Sequence, residues 1–317
     1  MLLRLLQIVV LLLLVFQATG AQTLKTAEAY NNRGLERQGK GDIDGAIDDY
    51  THAIAMKAKP STLATAYNNR ANARMGKDDF AGAVDDYTKA IELDPKDPEN
   101  YYNRGVALVS KGENDQAVAD FTRVIEMEPR FWLAYNNRGN ARKAKGDVDG
   151  AIADYSKAIE HNPKYSEAFY NRGVAWQQKQ EFDAAIKDYT GALELAPKFA
   201  DAYVNRGQAK QSKQDFNGAI ADYDAALALK ADADTYFARA TARASKKDLE
   251  GALADYSKAA DLDPNSAVTL ASRAAIEAAL GRNAEAERDF GRAFKLDPNL
   301  RSQYKEFIEK RHLKIMP

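Results

Sequence analysis

The sequence predicts an all-α fold of eight helical hairpins, and three recurring patterns indicate it. An arginine returns at intervals of 33 to 37 residues along most of the chain. A small residue follows each arginine directly, and an aromatic residue precedes it by three positions in seven of the eight units. An alanine with an aromatic residue four positions later recurs in every unit. Because both spacings place side chains on one helix face, each unit is predicted to contain two helices, A and B. The arginines are Arg33, Arg70, Arg104, Arg138, Arg172, Arg206, Arg239 and Arg273.

Helix A is predicted around the arginine, and helix B around the alanine and its aromatic partner. The small residue after the arginine allows the two helices to approach closely. Several units end in proline, which cannot continue a helix interior. The helix B alanines are Ala46, Ala83, Ala117, Ala151, Ala185, Ala219, Ala252 and Ala286.

Composition excludes several classes of function. The 317 residues carry a net charge of −1, whereas a nucleic-acid-binding protein would be expected to show a basic stripe. The absence of cysteine excludes disulfides and thiolate chemistry. The three histidines have no catalytic partners in sequence, and no phosphate-binding or hydrolase motif is present. We therefore expect a protein that is not an enzyme and uses no cofactor, no metal and no small-molecule substrate.

The N-terminus has the pattern of a secretory signal peptide. Arg4 precedes an apolar stretch from Leu5 to Phe16, and Thr19, Gly20 and Ala21 provide a small-residue exit. The prediction is a signal peptide over residues 1–21, a short leader over 22–26, and a periplasmic or secreted mature chain. The alternative is an uncleaved N-terminal membrane anchor, which is the only membrane contact expected.

The 34-residue period resembles the tetratricopeptide repeat (TPR) family over residues 27–300. The aromatic residue, the small residue, the alanine, the second aromatic residue and a closing proline occur in that family's order. The resemblance implies an α-solenoid, a right-handed superhelix of eight hairpins in one domain, whose A helices line a concave groove. Because a solenoid needs a polar cap, residues 301–317 are expected to form a C-terminal capping helix.

An aspartate stands sixteen residues after every repeated arginine, where typical family members carry apolar residues. A row of free arginines could bind anions, but each arginine here has its own aspartate. The spacing therefore predicts a structural salt bridge between helices A and B of each unit. The predicted pairs are Arg33 with Asp49, Arg70 with Asp86, Arg104 with Asp120, Arg138 with Asp154, Arg172 with Asp188, Arg206 with Asp222, Arg239 with Asp255, and Arg273 with Asp289.

An asparagine directly before the arginine recurs in the first six units and is replaced by Ala238 and Ser272 in the last two. An amide can pair with the C=O and N–H of an extended backbone. The series is similar to the asparagine ladder in the TPR superhelix of O-GlcNAc transferase, which implies peptide binding, with side-chain pockets near Tyr102 and Tyr170. The alternative is that these amides only join neighbouring repeats. The series is Asn32, Asn69, Asn103, Asn137, Asn171 and Asn205.

Together these features predict a non-enzymatic scaffold or adaptor that binds an extended peptide or protein partner in its groove. The groove positions are mildly acidic and lack a lysine and arginine set, so the expected partner is neutral to mildly basic. The alternative is a structural component that assembles a cell-envelope complex through its outer faces or solenoid edges.

Overall fold

The computed structural model describes residues 24–315, which contain eighteen α-helices and no strand. The predicted signal peptide and most of the leader lie outside these residues. The helices are α1 Ala27–Gly39, α2 Ile43–Ala55, α3 Pro60–Met75, α4 Phe80–Leu93, α5 Pro98–Lys111, α6 Asn114–Met127, α7 Trp132–Ala144, α8 Val148–His161, α9 Ser166–Gln178, α10 Phe182–Leu195, α11 Ala200–Ser212, α12 Phe216–Leu229, α13 Ala233–Ser245, α14 Leu249–Leu262, α15 Ala267–Ala279, α16 Asn283–Leu296, α17 Leu300–Gln303 and α18 Lys305–Lys310.

Helices α1 to α16 alternate as the A and B helices of eight consecutive repeats, so the predicted all-α, α-solenoid fold is confirmed. The chain forms two compact units, and the boundary falls inside α7, between Ala141 and Arg142. The single solenoid domain over residues 27–300 stays a prediction. None of the helices within residues 24–315 is long and apolar enough to span a bilayer.

The core of each hairpin is built from the alanines and aromatic residues that the period predicts. Tyr50, Tyr189 and Phe121 are among the largest fully buried side chains. A Cβ on Gly105 would lie 2.7 Å from Cε1 of Phe121, so only a glycine allows this close approach of α5 and α6. Burial of a large apolar side chain contributes about 1.5–3 kcal/mol, which makes this contact a main source of hairpin stability.

In the repeats whose arginine and aspartate lie in one unit, the two side chains are hydrogen-bonded across the hairpin. In the seven predicted pairs whose members lie in the same unit, arginine Nε donates to aspartate Oδ2 at 2.5–3.0 Å. Arginine Nη2 also donates to Oδ1 at 2.5–2.8 Å in six of those seven, from repeat one to repeat seven. The aspartates are buried in all repeats, and the hydrogen bond to Asp120 raises the pKa of Arg104 above its usual value. Arg138 and Asp154, the eighth predicted pair, belong to different units. Within its own unit, Arg138 donates to Thr122, and Asp154 accepts from Arg142.

In repeats two to six the same arginine also joins its hairpin to the preceding one. Nη1 of Arg104 donates to Oγ1 of Thr88 at 3.1 Å, and Arg70, Arg138, Arg172 and Arg206 donate to the equivalent hydroxyl. Seven of the guanidinium groups lie over the aromatic ring three residues earlier, at 5.4–5.8 Å from its centroid. Arg70, Arg104, Arg172 and Arg206 therefore each hold helix A, helix B and the previous helix B together.

A second cation, which the sequence analysis did not identify, reaches the buried aspartate in five repeats. It stands four residues after the first arginine, as in Arg74, whose Nη1 donates to Oδ2 of Asp86 at 2.8 Å and to the carbonyl of Gly82 at 2.9 Å. These repeats also carry an N-terminal capping aspartate and a glycine three residues later. A Cβ on Gly82 would collide with the carboxylate of Asp79. The second cations are Arg37, Arg74, Arg142, Lys210 and Arg243.

The other three repeats have Leu108, Trp176 and Glu277 at the position of the second cation. Glu277 is the most unusual of these, because it places a carboxylate where other repeats place a positive charge. It is 8% exposed, and its Oε2 atom has no hydrogen-bond partner among the described residues. Burial, and next the nearby Asp289 carboxylate, raise the pKa of Glu277 to about 7.

The C-terminal segment packs on repeat eight, but as two short helices instead of the single expected capping helix. Helices α17 and α18 are separated at Tyr304, whose ring packs against Phe290 at 5.1 Å. Leu300, Leu313 and Ile315 join the same apolar cluster. A straight helix would present only one face, whereas the break lets side chains from both segments cover the edge of repeat eight.

Repeats with and without the second cation should lose different amounts of stability when the first arginine is replaced. Arg104→Ala leaves Asp120 without any cation, which should lower the free energy of unfolding by about 3–5 kcal/mol. Arg70→Ala is the matched control, because Arg70 has the same partners but Arg74 still neutralises Asp86. Its expected loss is about 1.5–3 kcal/mol, the contribution of hydrogen bonds to a charged group. Urea unfolding followed by circular dichroism measures both, and equal losses would contradict the role of the second cation.

Glu277 predicts a pH dependence of stability. Its carboxyl ionises near pH 4.5 when unfolded and near pH 7 when folded. Its contribution is therefore fully present below about pH 4.5 and is lost as the pH rises to about 7. Since one pKa unit corresponds to about 1.4 kcal/mol, Glu277→Gln should stabilise the chain by up to about 3 kcal/mol at pH 8. Thermal melts of both proteins across this pH range test this, and a pH-independent difference would contradict it.

Candidate peptide-binding face

The asparagine series lies on one side of the A helices, which we name the A face. In the first unit it carries Asn32, Asn69, Asn103 and Asn137, and in the second Asn171, Asn205, Ala238 and Ser272. Neighbouring A helices touch directly, since α1 contacts α3 in the first unit and α11 contacts α9 and α13 in the second. A side chain on the A face can therefore contact either a ligand or the adjacent repeat.

Asn69, Asn137 and Asn205 hydrogen-bond to the preceding repeat. Nδ2 of Asn69 donates to Oδ1 of Asn31 at 2.8 Å. Nδ2 of Asn137 donates to the hydroxyl of Tyr102, and Nδ2 of Asn205 to the hydroxyl of Tyr170, both at 2.9 Å. Each acceptor stands two residues before the repeated arginine of the previous hairpin. These three amides therefore join neighbouring A helices, as the alternative interpretation of the series expects.

Asn32 and Asn103 differ, because neither makes a hydrogen bond among residues 24–315. Asn32 belongs to the first repeat and is exposed, whereas Asn103 is half-buried. The acceptor position facing Asn103 holds Asn68, which donates to Asn100 at 2.6 Å and accepts from Asn72 at 2.9 Å. The usual partner of the series is thus engaged elsewhere, which leaves the Asn103 amide unused. Asn171 is engaged as well.

Tyr102 and Tyr170, the predicted pocket residues, are part of the packing between repeats. Both are half-buried, and the ring of Tyr102 lies 5.1 Å from that of Phe131, while Tyr170 lies 4.6 Å from Phe199. Burial raises the pKa of both hydroxyls, and the hydrogen bond from the asparagine acts in the opposite direction. Their hydroxyls accept from Asn137 and Asn205, so both side chains take part in contacts between repeats.

Glutamines on the A face satisfy the buried tyrosines of helix B. The hydroxyl of Tyr50 donates to Oε1 of Gln38 at 2.9 Å, and that of Tyr223 donates to Oε1 of Gln211 at 3.0 Å. Burial raises the pKa of Tyr50 to about 12, so this hydroxyl stays a donor at neutral pH. Gln38 and Gln211 therefore stabilise the hairpins, because each accepts the proton of a buried tyrosine.

The space between neighbouring A helices depends on the residue at the asparagine position. Between α5 and α7, Asn137 reaches across to Tyr102 and leaves a cavity of about 120 Å³ beside Val106. Between α11 and α13, Ala238 takes that position and the space is about 590 Å³. We name this space the 6/7 notch; it lies around Ala238, between Gln208, Gln211, Phe216, Asp234 and Phe237. In the sequence, the 6/7 notch is marked by Ala238, which stands where the first six repeats have asparagine. From the sequence alone, this residue indicated only that the asparagine series ends.

The described residues contain no group of three or more His, Asp or Glu side chains arranged to hold a metal ion. His52 stacks on the ring of Tyr30 at 5.2 Å, which is a packing role.

Comparison with solved structures shows the same fold in other repeat proteins. The C-terminal part of a TPR repeat-containing protein from Cytophaga hutchinsonii has a TM-score of 0.62 at 19% identity, covering 72% of this chain and 94% of that one. A tetratricopeptide repeat protein from Parabacteroides merdae has a TM-score of 0.59 at 18% identity, covering 78% and 97%. YrrB, described as a TPR protein with an unusual peptide-binding site, has a TM-score of 0.52 at 24% identity, covering 58% and 95%. Comparison with curated proteins gives no significant sequence match.

Comparison with protein families matches the repeats along most of the chain. The matching families are described as "Tetratricopeptide repeat", at residues 27–60, 102–159, 166–199 and 204–267, and "TPR repeat", at residues 71–112 and 139–180. With the eight A and B helix pairs in place, this chain belongs to the tetratricopeptide repeat family.

Proposed function

We propose that this chain is a non-enzymatic scaffold that binds an extended protein segment on its A face. Membership of the TPR family supports a protein-interaction scaffold in general. The observation that carries the finer proposal is the pair of unused amides, Asn32 and Asn103, which lie in line with amides that join repeats. Each offers a carbonyl acceptor and an NH₂ donor to a passing backbone.

The hydrogen-bond energy of these two amides is too small to bind a peptide without additional side-chain pockets. A hydrogen bond contributes about 0.5–1.5 kcal/mol net, whereas ordering a peptide residue costs about 1–2 kcal/mol. Two amides therefore set the register of a bound backbone without providing much affinity. Affinity must come from pockets such as the 6/7 notch, or from a large protein surface.

Charge on the A face favours a neutral or mildly basic partner. Five exposed carboxylates recur four residues before the asparagine position, namely Glu28, Glu99, Glu167, Asp201 and Asp234. The repeated arginines point the other way, into salt bridges with buried aspartates. An acidic segment would therefore meet repulsion without a compensating basic cluster.

A second candidate function is assembly through a solenoid edge. Leu195, Leu229, Leu262 and Leu296 end the B helices of four successive repeats, and each is 40–53% exposed. Such a row of exposed leucines fits a contact with another subunit of a larger complex. Light scattering that finds a concentration-independent monomer mass would count against self-association along this edge.

Replacing an unused asparagine should affect peptide binding, whereas replacing an asparagine that joins two repeats should affect stability. A peptide selected on the wild-type chain from a phage-displayed random library serves as the probe. Asn103→Ala should weaken binding of that peptide by about 0.5–1.5 kcal/mol and leave the melting temperature unchanged, because Asn103 makes no hydrogen bond to the described part of the chain. Asn137→Ala should lower the melting temperature, because Tyr102 loses its donor.

Calorimetric titration and thermal melting are measured on the same proteins, with Ser272→Ala as the control outside the series. Unchanged affinity of Asn103→Ala for every selected peptide would remove the main support for backbone binding on the A face.

We also propose that residues 1–21 direct export and are removed, which would place the mature chain in the periplasm or outside the cell. The support is Arg4, the apolar run from Leu5 to Phe16 and the small residues up to Ala21. Intact-mass analysis of the protein from its native host should find Gln22 as the first residue. A chain that keeps Met1 in the membrane fraction would instead support an uncleaved anchor.

A further inference from the structure

We propose that the 6/7 notch binds one lysine or arginine side chain of the extended segment. This inference rests on the proposed function and adds a preferred residue to it. The notch lies wholly in the second unit, on the same face and at the same position as the asparagine series.

The notch exists because two substitutions coincide. Ala238 replaces the asparagine that reaches the preceding repeat elsewhere, and Val204 replaces the acceptor that such an asparagine would meet. Asn137 closes the equivalent space to about 120 Å³, whereas the 6/7 notch has about 590 Å³. This is ample room for one long side chain.

The walls of the notch suit a long aliphatic stem. Phe216 and Phe237 are half-buried and line the space from adjacent hairpins, with the ring of Tyr223 beneath them. Phe237 is fixed by an edge contact with Tyr256 at 5.3 Å between ring centroids. Rigid rings of this kind can pack against the methylene groups of lysine or arginine and can also attract the cation itself.

The hydroxyl groups in the notch donate their protons to protein atoms. Tyr223 donates to Gln211 at 3.0 Å, Ser212 donates to the carbonyl of Gln208 at 3.1 Å, and Thr241 donates to the carbonyl of Phe237 at 3.0 Å. Ser212 is exposed, so its oxygen keeps lone pairs for a cation, whereas Tyr223 is fully buried and Thr241 is also hydrogen-bonded to the hydroxyl of Tyr256. The amides of Gln208 and Gln211 can donate as well as accept, so the preferred charge of the ligand depends on the charged residues of the notch.

The only charged residue that lines the notch is a carboxylate. Asp234 is exposed and forms no salt bridge within residues 24–315. Two cations on these helices are paired inside the hairpins, since Lys210 pairs with Asp222 at 2.8 Å and Arg239 pairs with Asp255 at 2.6 Å. The charge that lines the notch is therefore negative, which favours a basic side chain.

The test is selection from a phage-displayed random peptide library on three proteins: wild type, Asp234→Asn and Ala238→Asn. Wild type should enrich peptides with lysine or arginine at one fixed position. Replacing that residue by methionine should weaken binding to wild type about two- to fivefold, the range for an exposed charge pair, and should hardly affect binding to Asp234→Asn. Ala238→Asn should lose the preference, because its side chain refills the notch.

Asp201→Asn is the matched control, since it removes the equivalent carboxylate one repeat earlier and should keep the preference. Melting temperatures of all variants confirm that each protein is folded. Selected peptides with no basic position, or with one that survives in Asp234→Asn, would overturn the assignment of the notch and leave the proposed function standing. Failure of the wild type to enrich any peptide would overturn both.

Discussion

The fold depends on a buried aspartate in every helix B and on the arginine that neutralises it. A buried carboxylate without a partner costs several kcal/mol, so the eight aspartates would prevent hairpin packing if they stood alone. In the described pairs the guanidinium donates to the carboxylate through Nε and, except in repeat eight, also through Nη2. In repeats two to six, Nη1 of the same arginine donates to a hydroxyl on the preceding hairpin. One side chain thus fixes the pairing of two helices and the register between repeats. Because the bond is directional, it specifies one geometry where alanine packing alone would allow sliding.

The repeats are of two kinds, and the difference concerns how the aspartate is neutralised. Five use a second cation four residues after the arginine, together with a capping aspartate and a glycine. The other three have no cation at that position, although in repeat eight Arg292 also lies 3.9 Å from Asp289. The second cation, the cap and the glycine occur together because the cation also binds the glycine carbonyl, as in Arg74 and Gly82. Repeat eight lacks all three and buries Glu277, while the C-terminal segment covers its apolar core.

Because the repeated arginines point into the hairpins, they do not contribute positive charge to the A face. The repeats have almost no free positive charge there, and the remaining groups are amides, carboxylates and the edges of aromatic rings. Where the asparagine contacts the preceding repeat, the face is closed, as at Asn137. Where that contact is missing, the face has either an unused amide at Asn103 or an open space at Ala238.

Much of this structure could be predicted from the sequence, because the period repeats the same contacts. The 34-residue spacing predicted the helices, and the sixteen-residue spacing brought each Arg of the described pairs beside its Asp. The division of the asparagines could not be predicted from the series itself. Whether Asn137 or Asn103 has a partner depends on Tyr102 and Asn68 in the neighbouring repeat, which lie about one period away in sequence. The second cation was missed because Arg74 and Lys210 alternate with Leu108 and Trp176, so no single residue type recurs there.

The most direct measurement of the central claim is a double-mutant cycle between Arg104 and Asp120. The free energy of unfolding is measured in urea for the wild type, Arg104→Ala, Asp120→Ala and the double variant. Asp120 has no second cation, so the coupling energy reports the arginine–aspartate interaction alone. We expect a coupling of about 1.5–3 kcal/mol, the contribution of hydrogen bonds between charged groups. A coupling near zero would show that the hairpins are held by their apolar cores and that the arginines are incidental.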